Sequence, residues 1–258
     1  MASEGVDPTS DRPVFRQIAD LLRAQMLDGS LPEGARLPSE RELMETYGAA
    51  RGTVRQSVAQ LKAEGLIQME HGRGAFVRRR PPVRRVASDR FARRHRDEGK
   101  GAFTVETEAE GLSTGVEVLK VGPEHPPPDI AERLSQPPTD RVLVRRRRYL
   151  ADGEPVEIAT SYVPWDLASG TPMTRKNPGP GGIYARLEET GHRLSRFAEE
   201  VTARMPVPDE SRSLRLSAGV PVFVLVRTAY DSEGRAVEVC DTVMAADRFV
   251  LAYDLPAG

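Results

Sequence analysis

LPSERELMETYGAARGTVRQSVAQLKAEGLIQMEHGRGAFV, residues 37–77, is the stretch that decides how the N-terminal part of the chain folds. Ser39 followed by Glu42 is a capping-box pattern: the Ser39 hydroxyl accepts from an early backbone N–H and the Glu42 carboxylate reaches back, so a short helix starts here and Gly48 ends it. A second helix fits residues 51 to 64, with Val54, Val58 and Leu61 on one face, Arg51, Thr53, Arg55 and Gln56 on the others, and Gly65 closing it. Leu66 to Glu70 and Ala75 to Val77 are short β-like runs joined by His71-Gly72-Arg73-Gly74, a hairpin with a glycine-rich basic tip. Upstream, Val14, Ile18, Leu21, Leu22 and Leu27 recur near helical spacing and stop at Asp28-Gly29, which makes residues 13 to 27 an amphipathic helix.

Three helices, a tight turn, a polar helix face and a glycine-tipped hairpin, in that order within about 65 residues, match a winged helix-turn-helix in every part. A duplex major groove admits one α-helix, and its bases are told apart by short polar side chains and arginine forks. Arg51, Thr53, Arg55 and Gln56 supply these on the third helix, while Ser39 and Arg41 of the preceding helix face the DNA backbone. His71, Gly72 and Arg73 at the hairpin tip suit a minor-groove or phosphate contact. Charge agrees with this division: the chain carries a net charge of −1, but residues 1–100 sum to +5 and residues 101–258 to −6. The basic half is the one for a polyanion.

Residues 78 to 100 read as a break and a basic linker. Arg78-Arg79-Arg80-Pro81-Pro82 stops regular structure, and Arg84, Arg85, Arg90, Arg93, Arg94 and Arg96 follow with few apolar anchors, giving a connector mobile without DNA or ligand. Its arginines either touch phosphates or form a solvated charge run. Beyond residue 101 the pattern turns to strands. Residues 142 to 150 and 156 to 163 flank Ala151-Asp152-Gly153-Glu154-Pro155, and 221 to 230 and 236 to 244 flank Asp231-Ser232-Glu233-Gly234-Arg235. These hairpins align at an offset of 81 residues, Tyr149 with Tyr230, Gly153 with Gly234 and Val156-Glu157 with Val237-Glu238, so a weak internal duplication puts two related hairpins in one sheet. Residues 181–191 and 208–216 read as helices and 171–182 as a loop. Alternation places Arg145 and Arg147 on one sheet face and Arg146 and Arg148 on the other, so one pair is solvated or paired with acids such as Glu157. The expected organisation is α+β: a DNA-binding domain over 1–78, a basic linker over 79–100 and a sheet domain over 101–258.

Composition narrows the function classes. No stretch approaches the roughly 18 apolar residues of a membrane span, and the N-terminus is polar and acidic, unlike a signal peptide, so the expected location is the cytoplasm, at the nucleoid. Cys240, the single cysteine, forms no internal disulfide and sits among Val237, Val239 and Val243 like a buried thiol. His71, His95, His125 and His192 complete no Ser/His/Asp, Cys/His or metal-spaced cluster, so no catalytic residue, metal or cofactor is expected. Two other classes remain to be weighed. A nucleoid-type protein would bind DNA through phosphate charge alone, without a use for an acidic sheet domain. A lyase-like enzyme would need acid and base groups that the sequence does not assemble.

The motifs resemble a known family. Leu37 to Leu43, Thr53-Val54-Arg55, Leu61, Glu64-Gly65-Leu66-Ile67 and Gly72 to Val77 are similar to the signature of GntR-family transcription regulators over residues 13 to 78, which implies DNA contacts from Arg41, Arg51, Thr53, Arg55, His71 and Gly72. Ala49-Ala50 stands where many relatives place Ser or Thr ahead of the recognition helix. Further on, Asp152-Gly153-Glu154-Pro155, Ser161-Tyr162-Val163-Pro164 and Ala246-Asp247-Arg248-Phe249 are similar to the UTRA domain of the HutC-type subfamily over roughly 101–254. That resemblance implies a non-catalytic, chorismate-lyase-like antiparallel-sheet domain that binds an effector and dimerises. Where relatives that sense sugar phosphates carry polar groups, this chain has Arg147, Tyr149, Ala159, Gly182, Glu238 and Met244. A phosphate needs several donors to replace its hydration, so the expected effector is not a sugar phosphate but an uncharged or aromatic metabolite oriented by Arg147 and Glu238, with Tyr184 a further candidate contact. The expected assembly is a homodimer on an inverted-repeat operator, with half-sites about one helical turn apart. Repression is favoured over activation, because blocking a promoter needs no polymerase contact.

Overall fold

A computed structural model describes residues 5–78, 83–87 and 90–254. The chain forms two compact units: the first takes the described residues through Arg78 together with Leu216–Val220, and the second takes the described residues from Val83 to Arg215 and from Pro221 on. In the first, α1 (Val14–Leu27), α2 (Glu40–Tyr47) and α3 (Arg51–Ala63) precede a hairpin of β1 (Ile67–Glu70) and β2 (Gly74–Val77). Ile18, Ala19 and Leu22 of α1 bury against Leu43 of α2, Val54 and Leu61 of α3, and Ile67 and Val77 of the hairpin. The capping box forms as expected: Glu42 N donates to Ser39 Oγ at 3.3 Å, and Ser39 N donates to Glu42 Oε2 at 2.7 Å. Gly48 closes α2 at φ +59°, in the left-handed region where a side chain is disfavoured. Ala50 caps α3 without a side-chain bond.

The second unit opens with β3 (Val83–Val86), α4 (Arg93–Asp97), α5 (Ala102–Ala109), β4 (Thr114–Glu124) and α6 (Pro128–Arg133). It continues through β5 (Val142–Ala151), β6 (Glu154–Pro164), α7 (Trp165–Ala168), a 3-10 turn at Pro172–Thr174, and α8 (Gly182–Glu189). Last come β7 (Leu194–Arg204), α9 (Pro208–Ser213), β8 (Val222–Asp231), β9 (Ala236–Ala245) and β10 (Phe249–Ala252). Six strands form an antiparallel sheet in the order β4-β5-β6-β9-β8-β7.

The duplication is deeper than the two hairpins. Shifted by 80 residues, α5, β4, α6 and β5 fall on α8, β7, α9 and β8 at the same start positions. The strand register corrects the pairing of Tyr149 with Tyr230. Glu157 stands opposite Tyr149 and Glu238 opposite Ala229, so Ala229 is the counterpart of Tyr149, and Arg227 that of Arg147. A turn one residue longer after β8 (232–234 between the paired Asp231 and Arg235, against 152–153 between Ala151 and Glu154) shifts the offset to 81 past the turn. The sheet edges β4 and β7 went unread in the sequence because their exposed faces carry charge and no clean alternation, as edge strands do.

The basic connector is also corrected. Its arginine-proline run at 79–82 lies outside the described residues, but β3 pairs in parallel with β10, Val83 opposite Phe249 and Val86 opposite Ala252. Val83 and Arg85 point inward and are buried. Alternation of a buried Val with a buried Arg hides a strand from any reading that counts arginine as solvent-facing.

Candidate functional site

On α3, Val54, Ser57 and Leu61 face the core. Arg51, Arg55 and Gln56 lie on the opposite, exposed stripe, and Thr53 lies on its flank, half-buried. Glu40 at the start of α2 holds both arginines: its carboxylate accepts from Arg51 Nε at 2.8 Å and lies 3.2 Å from Arg55 Nε. Two guanidinium groups on successive turns are thereby held side by side at the N-terminal end of α3, yet remain largely in solvent. Arg41 is exposed and meets Glu45 at 3.7 Å. Ser39 spends an acceptor lone pair on the cap, leaving its hydroxyl proton for a phosphate oxygen.

The hairpin presents exposed His71, Gly72 and Arg73 at its tip. Arg73 pairs with Glu70 and lies over the Phe76 ring. Gly74 sits at φ +115°, and a Cβ there would come within 3.2 Å of Arg36 Nε. Only glycine lets the strand turn this tightly beside Arg36. Helix, cap and hairpin tip are thus three solvent-facing cationic elements on one small folded unit.

The second unit contains a cavity of about 560 Å³ over one face of the sheet, within the usual range for small-molecule sites. Its floor is Ala159 on β6 with Cys240 and Thr242 on β9, all small. Aromatic walls rise on both sides. Phe103 and Tyr149 pack at 4.8 Å between centroids on one side, and Phe91 and Tyr184 at 5.9 Å on the other. Arg90, Phe91, His95 and Arg96, all from the connector, also line it.

Among the described residues, the charges of this sheet face are ion-paired or committed to backbone carbonyls, with one exception. Glu238 accepts from the Tyr184 hydroxyl and lies 3.4 Å from the Arg227 guanidinium. Burial pushes the Tyr184 hydroxyl far above its ordinary pKa, so it stays a donor at neutral pH. Arg227 also reaches Glu199 at 4.0 Å, Glu199 meets Arg90 at 3.6 Å, Arg90 meets Glu106 at 2.7 Å, and Glu106 meets Arg85 at 3.3 Å. Arg85 in turn pairs with Glu157. The Glu106 contacts are ionic rather than well-directed hydrogen bonds. Arg145 donates to the carbonyls of Met173 and Arg175, and to that of Lys176 at 2.9 Å, pinning the 171–181 loop. Burial and the like charge of Arg147 pull its pKa down to about 10. Arg147 is the exception. Among the described residues it makes one hydrogen bond, to Ser161 Oγ, and no ion pair, and its Nε is buried without a partner.

The profile of bacterial regulatory proteins of the gntR family matches residues 15–77, and that of the UTRA domain matches residues 109–250. An HTH-type transcriptional regulator of Streptomyces coelicolor is 31% identical over 94% of this chain and 92% of its own length. The chain belongs to the GntR family. The HTH-type transcriptional repressor NagR of Bacillus subtilis is 28% identical, covering 96% of this chain and 97% of NagR. Among solved structures, a GntR-family transcriptional regulator superposes with a TM-score of 0.66 at 31% identity, covering 96% of this chain and 99% of that one. PhnF from Mycobacterium smegmatis follows at 0.59 and 27%, over 93% and 99%. This GntR-family protein is a ligand-modulated, DNA-binding transcription regulator with a UTRA domain, and its named relatives are transcription regulators. No helix among the described residues is long and apolar enough to cross a membrane.

Of the effector contacts expected for the regulator, Arg147, Tyr149, Ala159, Tyr184 and Glu238 converge on the cavity. Met244 does not. It is fully buried in a cluster with Val83, Phe103, Leu225 and Phe249, beneath the lining rather than in it. The expected pairing of Glu157 with the Arg145–Arg148 run is also corrected, since its partner is Arg85, while Arg148 pairs with Glu117. Phe91, Phe103, Arg90 and Arg227 escaped the sequence reading. The duplication could have pointed to Arg227, but no local pattern marks the others.

Proposed function

We propose that the GntR-family regulator is a homodimeric repressor whose affinity for an inverted-repeat operator is set by a small molecule bound in the UTRA-domain cavity. Arg51, Thr53, Arg55 and Gln56 read base edges, Ser39 and Arg41 hold phosphates, and His71, Gly72 and Arg73 grip beside them. Two winged units related by dimer symmetry set the half-site spacing.

The observation that carries the regulatory part is the wall formed by Arg90, Phe91, His95 and Arg96, which belong to the stretch leading out of the winged unit. A ligand that fills the cavity touches that stretch directly. It shifts operator affinity only by binding one arrangement of the stretch more tightly than another. A sugar phosphate suits the cavity poorly: Arg145 is committed to three carbonyls and Glu238 to Tyr184 and Arg227, which leaves Arg147 as the one uncommitted guanidinium among these. Aromatic walls over a small-residue floor favour a flat, largely apolar body.

The test uses the full-length protein. An operator is selected from a random duplex pool, and metabolites are screened for a rise in melting temperature, which a ligand of the folded state produces. Each hit is then measured for its effect on operator affinity. Hits that occupy the cavity and change operator affinity support the proposal; selection of no preferred duplex refutes it.

A further inference from the structure

The duplication writes one ion pair into the sheet twice, and only one copy is made. In the second half, Arg227 on β8 and Glu238 on β9 stand diagonally across the ladder, Glu238 opposite Ala229 and Arg227 opposite Cys240, and they approach to 3.4 Å. Arg147 on β5 and Glu157 on β6 have the same relation, Glu157 opposite Tyr149 and Arg147 opposite Ala159. The two arginines thus hold equivalent ladder positions, from which Arg147 can reach Glu157 as Arg227 reaches Glu238. Yet Glu157 is taken by Arg85 of β3, and Arg147 is left facing the cavity with one hydroxyl partner, the Tyr149 ring 5.7 Å away and an unbonded Nε. Both carboxylates line the cavity.

From this we propose that Arg85 and Arg147 compete for Glu157, and that an acidic head group on the effector, a carboxylate or a phosphoryl group, replaces Glu157 as the partner of Arg147 while β3 is docked. The inference rests on the cavity being the effector site, and of the expected uncharged or aromatic metabolites it selects an aromatic one that bears an acid. Two charge-compensated states follow. With β3 docked, Arg85 holds Glu157 and the ligand holds Arg147. With β3 released, Arg85 is in water, Glu157 pairs with Arg147, and the acid has no partner. Each state avoids an uncompensated buried charge, the arrangement that costs most. An acidic ligand binds the docked state better and so favours docking, and docking favours the ligand by the same factor. A neutral ligand of the same shape gains nothing from Arg147.

Calorimetric titration of the full-length protein with naphthalene-2-carboxylate, 2-naphthyl phosphate and naphthalene-2-carboxamide tests this. One of the two acids binds at one site per chain, at least about tenfold more tightly than the amide, and which acid binds names the head group. In Arg85→Met the affinity for that acid falls by about tenfold or more, because Glu157 turns to Arg147. In Arg85→Met/Glu157→Gln, with the competing carboxylate gone, it returns to within about threefold of the parent, a rescue that a merely structural Arg85 would not give. Thermal melts check folding. If Arg85→Met does not fold, Glu157→Gln alone decides: unchanged acid affinity fits a competitor, and a loss means that Glu157 itself holds the ligand, which overturns the inference. Equal binding of amide and acid, no binding of either acid, or failure of the double variant to recover overturns it too. A neutral ligand that shifts operator affinity would refute the exchange and leave the effector site standing. An acid that binds with these dependences without changing operator affinity would refute the effector role instead.

Discussion

Arg51 and Arg55 on the third helix of the winged unit keep 71% and 67% of their side-chain surface in solvent, whereas Arg85 and Arg90 in the effector unit keep 2% and 5%. The same residue type does opposite work in the two places. Exposed guanidinium groups wait for a partner outside the protein, and a glutamate beside them fixes their direction without burying them. Buried ones are already matched, through three arginines and four glutamates that run from β3 across the sheet to Glu238. Net charge by region, positive in front and negative behind, hides this difference entirely.

Separating the two uses experimentally is direct, since one should register in stability and the other in DNA affinity. The largest effect is expected from Glu106→Ala, which strips a shared partner from Arg85 and Arg90 and leaves buried charge uncompensated. Urea unfolding should lose about 3–5 kcal/mol, against about 0.2–1 kcal/mol for an exposed pair. If the loss is under about 1 kcal/mol, buried and exposed arginines do not differ as described. Next comes Arg51→Ala: operator affinity in a mobility-shift titration should fall by about 1–3 kcal/mol while the melting temperature stays put. A drop in melting temperature instead would place Arg51 with the buried group.

A third, smaller effect concerns the cap that sets α2 and hence Glu40. Ser39→Ala should cost about 1 kcal/mol of stability, read in the same urea experiment, and Ser39→Gly less. Acid sharpens the picture in the effector unit. Burial alone would raise the Asp231 pKa, but His192 and the backbone N–H groups of Arg235 and Glu233 outweigh it and hold it below the ordinary value. The carboxylate thus adds stability above its unfolded pKa that is lost as pH falls through the folded one, and Asp231→Asn should flatten the stability profile below about pH 4. Smallest of all is Glu40→Gln. It frees Arg51 and Arg55 from an exposed pair worth about 0.2–1 kcal/mol, so non-specific DNA binding should tighten slightly, most at low salt.

The winged unit was legible in the sequence because its information is local. A capping box at Ser39, apolar spacing along α3 and glycines at the hairpin tip each act within a few residues, and the arginines on the remaining face are where charge is expected. In the effector unit the central hairpins could be read from their turns and alternation, but β3 could not, because Arg85 becomes an inward residue only when Glu106 and Glu157, far along the chain, come to meet it. The cavity divides the same way. Arg147 and Glu238 were visible through family likeness, whereas Met244 was misplaced because the sequence shows which side of a strand a residue takes and not how deep the neighbouring packing lies. Tyr149 was matched to the wrong partner because the turn after β8 is one residue longer and both hairpins carry the same bulge, so a gapless alignment that matches the strands past the turn is out by one before it.

The parallel pairing of β3 with β10 also has a bearing on how the molecule is made. β3 leaves the ribosome early and waits for its mate, because residues 249–252 follow the whole six-stranded sheet in the order of translation. The three helices and hairpin of the winged unit are made by residue 77, well before residues 216–220 of the same unit, and can begin to acquire their shape while synthesis continues. A newborn chain therefore owns the helices of its reading head before the strand that fastens β3 exists.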